Sequence, residues 1–149
     1  MAKISIVPQS SVLFSAIVSS IGGSAMIIQG CHNNIWQGFI SENIKQEVTR
    51  NLRIKYPDKE SALKDIIEYA HFKIVGKITS KRIEDYKDII KDIDDAHVLA
   101  LAKQVKADFL ITLDQTHFIR DEQVAKTSGI NIMIPKDFLK LMRSQGVIA

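Results

Sequence analysis

The chain has 149 residues, 46% hydrophobic and 25% charged, a balance that argues against a disordered polypeptide and suits one globular domain over 1–149. No apolar run approaches the roughly 18 residues that cross a bilayer, and the single Cys31 excludes an internal disulfide or a multi-cysteine zinc site. A net charge of +3 is compatible with a phosphate-bearing partner without requiring one. The cysteine usage fits a reducing compartment, and with no long apolar run a cytoplasmic protein without a membrane partner is expected.

Lys3 to Val7 is a short β-branched run stopped by Pro8, which predicts a buried strand and turn rather than the core of a signal peptide. Ser11 to Ser20 predicts a helix broken at Gly22-Gly23, and Ser24 is placed to cap a second helix through about Gln29. Ile35 to Ile40 predicts a second strand holding Trp36 and Phe39 in the core, with Ser41 capping the helix that follows. Ile44, Val48 and Leu52 form one face of that helix, which ends before Pro57.

Asp58 is placed to cap a fourth helix whose stripe is Ala62, Ile66 and Tyr69 or Ala70. Lys73 to Thr79 predicts an extended connector or edge strand, and the charged stretch Lys81 to Lys91 a solvated turn of helix. Asp94 or Asp95 then caps a helix running A-H-V-L-A-L-A-K-Q-V-K. Phe109 to Thr112 is the most strand-like run, followed by Leu113 and Asp114. A short helix around Glu122 to Lys126, a last strand over Ile130 to Ile134 and a C-terminal helix opened by Pro135 complete the chain. Strands alternating with helices predict an α/β fold, a three-layer α/β/α sandwich around a mainly parallel sheet.

Ligands of open α/β sheets collect beyond the carboxyl ends of the strands. Gln9, Ser10 and Ser11 follow the first strand there, and Thr112 and Asp114 close the Phe109 run. Asp95 stands three and four residues before Val98 and Leu99, so its carboxylate shares their sheet-facing side. Glu47 borders the Ile44–Val48–Leu52 stripe. Three carboxylates from three elements can therefore meet in one cleft, and an all-oxygen set suits Mg²⁺ or Mn²⁺. Taken singly, each has a plainer reading: Asp95 as a helix cap, Asp114 as a turn residue, Glu47 as a solvated residue beside Asn43 or Arg50. His97, two residues after Asp95, is expected at the surface or a dimer contact. His117 is either a phosphate contact or a solvated loop residue. Arg50, Arg53 and Lys55, with Lys81 and Arg82, are either a nucleic-acid path or a solvated face.

The order and context of these residues resemble the PIN-domain family of metal-dependent nucleases. I-S-I-V-P-Q-S-S-V-L-F-S-A-I has the family's opening strand–turn–helix shape, I-S-E-N-I-K-Q-E-V-T-R-N-L supplies Glu47, D-D-A-H-V-L-A-L-A supplies Asp95, and A-D-F-L-I-T-L-D-Q-T-H-F supplies Thr112 and Asp114. The resemblance implies a Mg²⁺- or Mn²⁺-dependent ribonuclease, with Glu47, Asp95 and Asp114 as catalytic and metal-holding residues and Gln9 and Thr112 in support. It also implies RNA as partner, an antitoxin protein where the member is a toxin, and a homodimer. One departure stands out. Gln9, Ser10 and Ser11 occupy the place of the family's Asp-Thr-Asn type triplet, so no register supplies the first carboxylate. That departure leaves open a second expectation, an inactive PIN fold that binds RNA or a protein partner.

Overall fold

The computed structural model describes residues 3–90, 92–119 and 122–149. Five strands lie in one sheet in the order β3-β2-β1-β4-β5: β1 (Ile4–Pro8), β2 (Trp36–Ser41), β3 (Lys73–Val75), β4 (Phe109–Ile111) and β5 (Ile132–Met133). Every ladder is parallel, with Ile4 opposite Trp36, Ile6 opposite Phe109, Phe39 opposite Lys73 and Leu110 opposite Ile132. Parallel strands must be joined by crossovers, and the helices between them cover the sheet as the outer layers of an α/β/α sandwich. The crossovers run outward through β2 and β3 on one side of β1 and through β4 and β5 on the other. The chain therefore reverses direction between β1 and β4, and their carboxyl ends open a crevice at that switch point.

The helices are α1 (Ser10–Val18), α2 (Gly23–His32), α3 (Glu42–Lys55), α4 (Ala62–Tyr69), α5 (Ser80–Glu84), α6 (Ile93–Gln104), α7 (Glu122–Ser128) and α8 (Pro135–Ser144). Ser41 caps α3 as its sequence promises, its hydroxyl accepting from the Ile44 N–H at 3.1 Å, and Ile44, Val48 and Leu52 are fully buried. Trp36 ties three elements together. Its indole N–H donates to the Ile27 carbonyl at 2.9 Å, and its ring meets Phe138 of α8 edge-on at 5.0 Å. This close fit explains Gly30, where an added Cβ would lie 2.0 Å from the indole.

Several local expectations are corrected. Gly22, at φ 102°, rather than Ser24, precedes α2, because only glycine takes that backbone readily at the break. Asp58 lies in a 3₁₀ turn, Pro57–Lys59, and α4 starts only at Ala62. Phe39 is only half-buried, packed against the margin of the core with Lys73 Nζ 5.8 Å from its ring centroid. The helix in the charged connector is just five residues, capped by Thr79. Asp95 is the third residue of α6 rather than its cap, its N–H bonded to the Asp92 carbonyl at 3.0 Å; the side chains of Asp94 and His117 lie outside the described residues. Among the described residues no single helix is long and apolar enough to cross a membrane.

Candidate functional site at the switch point

Gln9 leaves β1 with its N–H on the Ile111 carbonyl at 2.8 Å, so the β1–β4 ladder delivers it beside Thr112. Both residues are buried, Thr112 completely. The Thr112 hydroxyl accepts from the Asp114 N–H at 2.9 Å, so its own proton goes to Gln9 Oε1 at 3.0 Å. The Ser11 hydroxyl likewise accepts from the Leu113 N–H at 3.1 Å and donates to the same Oε1. A carbonyl oxygen offers two lone pairs. Two hydroxyl donors have taken both, and the Ser11 N–H adds a long contact at 3.4 Å as the cap of α1. The bridge fixes the β1–α1 turn against the loop after β4 and sets the backbone of Asp114.

Glu47 projects from α3, and one carboxylate oxygen, Oε1, rests against His97 Nε2 of α6. With the imidazole protonated this is an ion pair, although no aligned hydrogen bond reaches Glu47 Oε1 or His97 Nδ1. The other oxygen, Oε2, stands 3.5 Å from the Ser10 hydroxyl. His97 is therefore not a surface residue: its residue exposure is only 7%. The expectation failed because it read α6 as one-sided. Ala96, Val98, Leu99, Ala100, Leu101 and Ala102 are all buried, so pointing away from Asp95 still means pointing into protein. The sequence held that signal, since A-H-V-L-A-L-A offers no polar face.

Asp95 is buried at 8% exposure and Asp114 is half-buried, and neither is without a partner. Glu47, Asp95, Asp114, Gln9 and Thr112 thus stand on the elements that meet around the carboxyl ends of β1 and β4. Glu47 joins this group through Ser10, and Asp114 joins it through Thr112. Among the described residues, no three side chains of His, Cys, Asp or Glu gather closely enough to hold a metal ion. With the Gln9 carbonyl saturated and Glu47 set against His97, this donor arrangement does not fit a hard divalent cation, which needs several oxygens, mostly anionic, turned toward one point.

Residues 6–116 match the PIN-domain family. The chain belongs to the PIN-domain family. Among solved structures, it is similar to VapBC2 from Rickettsia felis bound to a DNA fragment from their promoter, at TM-score 0.64 and 14% identity, covering 88% of this chain and 98% of that one. At that identity the likeness shows the PIN-type fold alone. Among curated proteins, no sequence match is found. The family match ends at Thr116 and so spans Gln9, Glu47, Asp95, Thr112 and Asp114.

Proposed function

We propose that this PIN domain binds single-stranded RNA at the switch-point cleft and does not cleave it through a resident metal. The observation that carries this reading is the spent carbonyl of Gln9. At the position where the family resemblance calls for the first carboxylate, the side chain is neutral and both its lone pairs accept from Thr112 and Ser11. A site short of one anionic ligand loses several kcal/mol of attraction for a divalent cation, on the order expected for charges at partly buried positions. The remaining acids are held locally, Glu47 by His97 above all.

A second reading, a Mg²⁺- or Mn²⁺-dependent ribonuclease, is favoured by one specific feature. Glu47, Asp95 and Asp114 all survive, in family order, on elements around one end of the sheet. On that reading those three hold the metal, and the bound ion supplies an activated water and charge neutralisation at the phosphate. An antitoxin-like protein partner, a homodimer and a cytoplasmic role, which the family resemblance implies, belong to either reading.

Incubating the purified protein with single-stranded RNA, with and without Mn²⁺, separates them. RNA binding without cleavage is the expected result. Cleavage that requires Mn²⁺ or Mg²⁺ and disappears in Asp114→Asn would establish the second reading instead.

A further inference from the structure

The outer flank of α3 carries a cleft of about 580 Å³ whose charged lining is Glu42, Lys45, Glu47, Arg50, Arg53 and His97. It begins at the Glu47–His97 pair and runs along the helix, so it adjoins the candidate site. Its charges are almost all matched. Lys45 Nζ lies 3.6 Å from Glu42, Arg53 Nε lies 2.6 Å from Glu60, and His97 takes Glu47. Glu47, which could have paired with Arg50 a turn further along α3, is held by His97 instead. Among the described residues Arg50 is therefore the one lining cation without an ion-pair partner, and its side chain is exposed to the cleft's solvent.

The neutral lining points the same way. The Asn43 side-chain oxygen accepts from the Ile78 N–H at 2.9 Å, which leaves its amide nitrogen as the end available to a ligand. Thr49 adds a hydroxyl. A guanidinium flanked by neutral donors, with Glu42 set against Lys45 and Glu47 against His97, is built for an oxyanion and not for a cation.

We propose that this cleft binds a phosphate group, with Arg50 as its anchor, and that in use the phosphate belongs to a single-stranded RNA backbone lying along α3 beside Glu47. The RNA half of the proposal rests on the binding function proposed above; the phosphate half does not. The guanidinium takes two phosphate oxygens through paired N–H donors, and the position one turn from Glu47 sets where the strand passes the switch point.

The test is fluorescence anisotropy of a labelled single-stranded RNA titrated with wild type, Arg50→Gln and, as a distant control, Lys140→Ala on α8, each at several salt concentrations. Arg50→Gln is expected to weaken binding about tenfold and to reduce the slope of log affinity against log salt by roughly 0.7, the contribution of one phosphate on a single strand; the control matches wild type. A parallel calorimetric titration with inorganic phosphate separates the two sources. Phosphate binding that depends on Arg50, with no RNA binding by wild type, keeps the phosphate site and removes the RNA function. Wild-type-like affinity and salt slope in Arg50→Gln, or no binding of either ligand by wild type, overturns the proposal. Arg50 is exposed, and unchanged thermal melting of the variant excludes unfolding as the cause.

Discussion

Glu47 of α3 and His97 of α6 touch across the carboxyl end of the sheet, carboxylate oxygen Oε1 against imidazole Nε2. The side chains are only 20% and 9% exposed, so both groups are poorly solvated. Removing one partner strands the other in a poorly solvated place. Glu47→Gln and His97→Gln are each expected to lower unfolding free energy by about 1–2 kcal/mol in urea titrations. The double variant should cost less than the sum, with a coupling of at least about 0.5 kcal/mol. Strict additivity would show that the contact contributes nothing to the fold.

Thr112 offers a second check, because its one hydroxyl serves two partners. Thr112→Val keeps the shape but withdraws the donor from Gln9 Oε1 and the acceptor from the Asp114 N–H. Loss of about 2 kcal/mol is expected, because the Asp114 N–H loses its acceptor while Gln9 Oε1 keeps only Ser11. Thr112→Ser retains the hydroxyl and should cost less. Equal losses would mean that the methyl group, not the bridge, matters.

Much of this arrangement was legible in the sequence. The β-branched runs, the Ser41 cap and the Ile44–Val48–Leu52 stripe are local patterns, and local patterns fix strands and helices. Asp95 and Asp114 could be assigned near the ends of their elements for the same reason, whereas Glu47 lies within α3. Gln9 could be seen as a departure, but not as a hub. That role depends on β1 and β4 being sheet neighbours, although about a hundred residues separate Gln9 from Thr112, and no periodicity encodes which strands pair. His97 was misplaced because a helical wheel gives directions without saying which of them are covered. Asp95 was displaced inward by one helix-start ambiguity, a matter of two residues.

Cys31 gives a prediction about reactivity and pH. It is buried, and desolvation raises its thiol from an ordinary value near 9.0 to about 12, against a smaller opposing contribution from Trp36. The native thiol should resist a disulfide reagent such as DTNB near neutral pH and react at once in denaturant. The raised value also fixes a sign. The unfolded chain releases this proton first, so the contribution to stability is intact below pH 9 and declines as pH rises toward 12. Fast labelling of the native protein, at the denatured rate, would contradict the burial.

Gly30 should tolerate no side chain. Gly30→Ala would place a methyl group 2.0 Å from the Trp36 ring, which also packs edge-on against Phe138. A loss of about 1–3 kcal/mol is expected, the usual cost of overpacking, read as a lowered midpoint in thermal or urea unfolding. An unchanged midpoint would mean that the indole has room to move.

The most direct test of the switch-point site is calorimetric titration of Mn²⁺ into wild type and Gln9→Glu. Glutamate is the isosteric replacement: one oxygen can still accept from Thr112 and Ser11 while the other brings the missing anionic ligand. The wild type should show no binding at micromolar Mn²⁺, and Gln9→Glu should gain at least about tenfold in affinity, a gain that Asp114→Asn removes. Micromolar binding by the wild type, unchanged by Gln9→Glu, would contradict the account and leave a working metal centre at this end of the sheet.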